Sequence, residues 1–243
     1  MLEKHRWTAV SLQSRMSISD DTRSYIFLLP SPGKCLGLET CQHIQLGFHM
    51  KDKLLIRSYT PTSPVLQSQE SSKFELVVKT YFPSDAQPGG AMSNILDCID
   101  IGAQVEIKGP TGEIEYHGFG KYIIEGQERR FNKVNLILGG SGVTPGYQLI
   151  ARVLETNGDS TELRVLDANK SEKDILLMGE FNRLEGRAAE GQFVLEHVLS
   201  HPTDKWGGRR GHVTADLVNP LFLSFVDPIF LLERALHVFH YCC

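Results

Sequence analysis

What this chain of 243 residues has little of already narrows it. Its five cysteines, Cys35, Cys41, Cys98, Cys242 and Cys243, include no C-x-x-C pair and are odd in number. A disulfide scaffold or zinc ribbon is therefore not expected, and a reducing compartment fits better. Net charge is only −4 and no block of like charge stands out, so no nucleic-acid partner is indicated. The opening MLEKHRWTAVSL has no apolar signal region. The tail LSFVDPIFLLERALHVFHYCC is interrupted and falls short of the about 20 apolar residues of a membrane span. A cytoplasmic protein without a membrane span is the expectation. There is no internal repeat and no low-complexity segment. His197 and His201 of HVLSH stand four apart, but no glutamate follows the first and the stretch reads as a strand, so no metal site is expected. Ser141 lies among glycines, yet G-x-S-x-G fails at Val143, which excludes a hydrolase elbow.

What is present divides into two styles. Six short runs, WTAVSL, TRSYIFLL, QHIQLGF, KLLIRSYT, KFELVVKTYF and AQVEIKGP, alternate or carry branched and aromatic residues. Gly and Pro clusters separate several of them, which predicts an all-β antiparallel barrel or sandwich, interrupted by a short helix at AMSNILDCI. From KVNLILGG onward the order is strand, helix (TPGYQLIARVLE), strand (ELRVLDA), helix (SEKDILLMGEFNRL), strand (QFVLEHVLS). That order predicts a parallel sheet with crossover helices. The polar stretch EGQERRFN, residues 125–132, is the expected seam. The reading is a β domain over 1–125, an α/β domain over 132–221 and an atypical tail over 222–243.

Three motifs carry chemistry. In ILGGSGVTPGYQLI a strand runs into Gly139, Gly140, Ser141 and Gly142, and a helix starts near Thr144 with Pro145 in its first turn. Free N–H groups at such a start attract phosphate, although G-x-G-x-x-P departs from the usual third glycine. In PGGAMSNIL, Gly89 and Gly90 precede a short helix that Ser93 could cap, a second candidate anion site. In IRSYTPTS, Arg57 and Tyr59 should share one strand face, with Ser58 and Thr60 on the other. A forked cation, an aromatic ring and hydroxyls suit a diphosphate joined to a planar ring system. Each motif alone also reads as ordinary structure: a tight βα turn, a loop glycine pair, a solvated edge strand.

In order and spacing, RSYTPTS, VVKTYF, PGGAMSNIL, KGPTG, LGGSGVTPGYQLI and ANKSEKDILL together resemble the cytochrome b5 reductase family of ferredoxin–NADP reductase-like flavoproteins. The resemblance runs from about Trp7 to Leu221. TCQHIQLGF and YHGFGKYIIEGQERRF look most like the flavin–nicotinamide portion of fungal assimilatory nitrate reductases. It implies a Greek-key antiparallel barrel that binds FAD, followed by an α/β domain that binds NADH or NADPH. It also implies hydride transfer to flavin N5 and single-electron delivery to a haem-protein acceptor such as cytochrome b5. By the same resemblance Arg57 would hold the FAD diphosphate with Ser58 beside it. Tyr59 would lie against the flavin and Thr60 near its reactive edge, making these two the catalytic pair. Val77 and Lys79 would line the FAD site, and Gly89, Gly90, Met92 and Ser93 would cradle the diphosphate. Gly140, Ser141, Gly142, Thr144 and Pro145 would serve the nicotinamide nucleotide. Asp167 stands near the position where an acidic residue bonds the ribose, with Lys170 and Lys173 following closely.

Two departures bear on function. Ala91 stands where the family has a lysine, which implies weaker FAD binding. The sequence after GHVTADLVNPLF contains no Cys-Gly-Pro-Pro motif, which the family places beside the nicotinamide. The expectations there are a sheet edge left open, an amphipathic helix at DPIFLLERALHVF, and a nicotinamide half-site in question.

Overall fold

The computed structural model describes residues 2–51, 53–69, 71–85, 88–218, 221–222 and 229–232. The chain divides into two compact units, Met1–Glu115 and Tyr116–Cys243.

Unit 1 is built on six antiparallel strands: β1 (Thr8–Ser17), β2 (Thr22–Leu28), β3 (His43–Met50), β4 (Lys53–Tyr59), β5 (Lys73–Lys79) and β6 (Gln104–Thr111). They coincide with the six runs read from sequence. Their order, β4-β3-β6-β1-β2-β5, pairs hairpin neighbours with distant strands, the Greek-key arrangement. The two outer strands meet through the segment after β4: Ser63 bridges Glu75 of β5, with Thr62 N donating to Glu75 O at 3.0 Å and Glu75 N to Ser63 O at 2.9 Å. Alternation sends Leu12, Phe27, Ile44, Leu46, Phe74 and Leu76 inward, where each is at most 1% exposed. Phe27 and Phe74 face one another across β2 and β5 and stack with centroids 5.3 Å apart. Helix α1 (Ala91–Cys98) adds Met92 and Leu96 to this core. Arg15 donates to Leu96 O and Ile99 O at the helix C-terminus, and Arg23 pairs with Asp97 at 3.1 Å.

In unit 2, β7 (Ile114–Gly118), β8 (Lys121–Ile124) and β9 (Gln127–Arg130) form a small sheet. The stretch 125–132, the expected seam, contains the β8–β9 turn and the whole of β9. Glu125 and Gly126, with φ of 51° and 76°, are the two left-handed residues of a tight hairpin loop between β8 and β9. Asp159 ties this sheet to the α/β layer: it accepts from Tyr116 OH, from Phe119 N at 2.8 Å and from Thr161 Oγ1 at 2.7 Å. Burial, then Asp159, pushes the Tyr116 phenol well above its usual range.

The main sheet of unit 2 is parallel, ordered β13-β12-β11-β10-β14, with β10 (Lys133–Gly139), β11 (Glu162–Asn169), β12 (Phe193–Leu199), β13 (Arg209–Arg210) and β14 (Ile229–Leu232). Helices α2 (Val143–Glu155) and α3 (Met178–Glu185) make the crossovers and touch through Tyr147 and Phe181, edge-on at 5.8 Å. Leu217 and Val218 of α4 (Ala215–Val218) pack on the cluster of Leu166, Val198, Leu221 and Phe222.

Two sequence expectations change here. The second crossover is not one helix from Ser171. Ser171 and Asp174 form a reciprocal cap on a single turn, and the buried run Ile175–Leu176–Leu177 breaks the helix before α3 begins. Ile229–Leu232, read as part of a helix, is a strand paired along Asn135–Leu138 of β10. Its buried Phe230 stacks on Tyr122 at 6.0 Å, and the continuous apolar run IFLL suits a strand of a buried parallel sheet. β10 is therefore an inner strand, not the open edge expected from the altered tail. The rest of that tail lies outside the described residues.

Candidate functional site: two glycine turns and their surroundings

The stretch RSYT ends β4. Its register, Arg57 opposite Leu46, Ser58 opposite Gln45 and Tyr59 opposite Ile44, alternates faces as expected up to Tyr59, and Thr60 lies just past the strand. Arg57 and Ser58 are exposed, Tyr59 is half-buried against the barrel core, and Thr60 is buried. Arg57 donates to its neighbour Ile56 O and, among the described residues, forms no ion pair, so its guanidinium fork remains open to an anion. Burial raises the Tyr59 phenol far above its usual range, which keeps it neutral and a hydrogen-bond donor. The segment behind Thr60 is pinned by a residue that no sequence signal pointed to. The Glu75 carboxylate accepts from Thr62 Oγ1 at 2.9 Å and from Ser24 Oγ.

The adjoining β5 carries Val77 and Lys79. Val77 is buried, and Lys79 Nζ lies 2.8 Å from Asp21 Oδ2. Burial works against ionised Asp21, but the hydrogen bond and charge of Lys79 outweigh it, and its carboxyl sits below the ordinary value. Lys79 is thus engaged with a carboxylate, which leaves Arg57 as the open cation of the pair.

Two residues past β5, Tyr81 builds the first glycine turn. Gly90 N donates to Tyr81 O at 2.7 Å, and Asn94 Nδ2 donates to Tyr81 O at 2.8 Å and to Gly90 O at 2.7 Å. Gly89 has φ of 77°, and a Cβ there would lie 2.7 Å from Tyr81 O and from Pro83 N. Only glycine fits. Gly90 is the N-cap of α1 and no side chain caps the helix. Ser93, expected as a cap, instead donates to Gly90 O at 3.1 Å and accepts from Tyr81 N at 3.3 Å. Met92 and Ser93 are buried. The first N–H groups of α1 are therefore left for an anion, and α1 contacts β4, the strand that carries Arg57. The residues present fit a diphosphate-bearing flavin.

The second turn follows β10. Gly140–Gly142 make a tight helical turn that runs into α2, with Gly140 at φ 52° and open space where a side chain would project. Thr144 Oγ1 donates to Ser141 O at 3.2 Å. Pro145 sits in the first turn, where its missing N–H costs nothing. No side chain caps α2 and no acidic residue occupies its first turn, so this N-terminus also suits phosphate. Gly146 plays the part that the missing third glycine seemed to leave vacant. A Cβ there would lie 2.5 Å from Leu138 Cδ2, so its absence lets α2 close on β10. Asp167 lies inside the sheet, and its Oδ1 is buried with no hydrogen-bond partner among the described residues. It is 0% exposed inside β11, and its Oδ2 accepts from Asn169 Nδ2 at 2.8 Å and pairs with His197 Nδ1 at 3.0 Å. Among the described residues no group of three or more metal-ligating side chains is placed to hold a metal ion.

The comparisons decide the family. The oxidoreductase FAD-binding domain family matches residues 9–116, and the oxidoreductase NAD-binding domain family matches residues 136–232. The cytochrome b5 reductase domain of Ulva prolifera nitrate reductase superposes with a TM-score of 0.86 at 30% identity, over 95% of this chain and 87% of that one. This chain belongs to the cytochrome b5 reductase family. As a family member it is an FAD-dependent NAD(P)H oxidoreductase module of the nitrate reductase type. The NADPH nitrate reductase of Emericella nidulans is 35% identical over 87% of this chain, and the NADH nitrate reductase of Lotus japonicus 41% over 84%. The chain spans only 24% and 22% of the length of those two enzymes. No described helix is long and apolar enough to cross a membrane.

Proposed function

We propose that this chain is a cytoplasmic reductase that takes reducing equivalents from NADH or NADPH through FAD and passes them singly to a haem protein, a cytochrome b5-like domain or protein. The observation that carries the proposal is the pair of uncapped helix starts, α1 after Gly89–Gly90 and α2 after Gly140–Gly142, one in each matched domain. When bound, FAD supplies the step between two-electron and one-electron chemistry.

The residues have these roles. Arg57 and the first N–H groups of α1, at Ala91, Met92 and Ser93, hold the FAD diphosphate. Ser58 flanks Arg57, and Val77 and Lys79 line the same site. Tyr59 supports the flavin ring, and Thr60 offers its hydroxyl at the reactive edge. Gly140, Ser141, Gly142, Thr144 and Pro145 receive the pyrophosphate of the nicotinamide nucleotide. Asp167, buried and paired with His197, acts from beneath by fixing the end of β11.

A second reading is a flavin-binding module, or a piece of a nitrate reductase, that uses NAD(P)H poorly. The specific observation behind it is the absence of Cys-Gly-Pro-Pro from the sequence. One experiment separates the two. The protein is loaded with FAD under anaerobic conditions, NADH or NADPH is added, and the flavin absorbance band is followed. Bleaching within seconds supports the reductase. A bound flavin that stays oxidised with both nucleotides supports the second reading.

A further inference from the structure

We propose that the C-terminal rim of β11 and β12 reads a 2′-phosphate, so that this chain prefers NADPH to NADH. The inference rests on unit 2 being the nicotinamide half of the reductase. The relatives include NADPH and NADH enzymes alike, so kinship does not choose between them.

The geometry does. Gly139 is in register with Ala168, so the phosphate-binding turn that starts at Gly140 opens beside the end of β11. A dinucleotide whose pyrophosphate sits on that turn lays its adenosine ribose across the neighbouring strand end. There the β11–β12 ladder continues past both strands: Ser200 N donates to Asn169 O at 3.1 Å and His201 N to Lys170 O at 2.7 Å. Lys170 and His201 are exposed and held side by side at the rim. Ser200 Oγ lies 2.9 Å from His201 Nδ1. With that hydroxyl donating to Nδ1, the ring proton is on Nε2, free to donate outward. Lys170 forms no ion pair among the described residues.

An NADH site of this architecture places a carboxylate where it accepts from the ribose 2′-hydroxyl and repels a 2′-phosphate. Here each carboxylate of the segment 167–174 already accepts a hydrogen bond from a neighbouring group of the chain. Asp167 is 0% exposed and paired with His197 and Asn169. Glu172 accepts from Thr203 N at 2.9 Å and Thr203 Oγ1 at 2.6 Å. Asp174 accepts from Ser171 N at 3.1 Å and Ser171 Oγ at 2.6 Å. What the rim presents is a lysine ammonium and an imidazole N–H whose tautomer Ser200 sets, donors for a phosphate dianion.

The test measures flavin reduction by NADPH and by NADH on the FAD-loaded protein, and in parallel the binding of 2′,5′-ADP and of 5′-AMP by calorimetry. NADPH is expected to have a kcat/KM at least about tenfold higher, and 2′,5′-ADP to bind at least about tenfold tighter, the scale of one charge-assisted hydrogen bond. Lys170→Ala should bring both ratios down by about tenfold, whereas Lys170→Arg should keep them. Faster reduction by NADH, or both ratios unmoved by Lys170→Ala, overturns the inference and leaves the reductase standing. If neither nucleotide reduces the flavin, the reductase reading falls, and the two adenosine phosphates decide the inference alone: equal binding overturns it, tighter binding of 2′,5′-ADP supports it.

Discussion

The two glycine turns each lead into a helix, but they are held by different means. The barrel turn is laced by polar groups: Tyr81 O, Gly90 N and O, Ser93 Oγ and Asn94 Nδ2 bond one another around Gly89. The α/β turn has one side-chain bond, from Thr144, beside the backbone bonds from Val143 N to Gly140 O and Ser141 O, and apolar closure of α2 on β10 buries Leu138, Val143 and Ile150. The difference follows from context. An α1 of eight residues has too few contacts to fix its own start, so hydrogen bonds must. An α2 of thirteen residues, buried along most of its length, positions its N-terminus mainly by packing.

The largest expected effect is at Gly89. Gly89→Ala adds a left-handed strain and a collision with two backbone atoms, Tyr81 O and Pro83 N. A loss of at least about 2 kcal/mol in urea unfolding is expected, together with loss of FAD retention on gel filtration. Because the atoms met are backbone, no neighbouring side-chain substitution should restore it. Gly146→Ala meets the Leu138 side chain first, and should cost about 1–3 kcal/mol as overpacking. Combined with Leu138→Ala, it should cost less than the two single changes summed, by about 0.5–3 kcal/mol. Strict additivity there would break the contrast between the turns.

Asn94→Leu removes two hydrogen bonds from the barrel turn, but their carbonyl acceptors keep other donors. About 1 kcal/mol of stability should go, with FAD titration showing weaker binding while nicotinamide nucleotide binding is unchanged. The smallest effect concerns Asp21 beside Lys79. Its carboxyl is lowered in the folded chain, so its contribution is present above the unfolded value of about 3.9 and fades as pH falls through the lower folded value. Lys79→Met should flatten stability against pH in that acid window, by less than about 1 kcal/mol because the pair is partly exposed. An unaltered slope in urea midpoints across the window would remove Lys79 as the cause.

Period and punctuation made much of the fold legible. All six barrel strands and the β-α-β order of unit 2 were visible because alternation and buried β-branched runs are local signals. The misreadings were places where a local signal yields to its neighbours. EGQERRF is mostly polar, a signal that does not show the hairpin that Glu125–Gly126 makes of it. SEKDILLMGEF has helical composition, yet its apolar centre is drawn into the core and splits the helix. PIFLL was read with the helical residues after it, yet β10 had an unpaired side that a strand could satisfy.

The sequence by itself determined most of the element types, the two glycine turns and the presence of an arginine at the end of β4, because these depend on backbone freedom and residue chemistry at fixed spacing. Only the tertiary structure decided which polar groups stay available. Asp167, the candidate for the ribose, is buried with its Oδ2 engaged by His197 and Asn169, Lys79 is engaged by Asp21, and Ser93 by its own turn. Arg57 and Lys170 keep their charges exposed and form no ion pair among the described residues. A side chain's chemistry is written in its residue type, but whether a ligand can use it depends on partners brought from far along the chain.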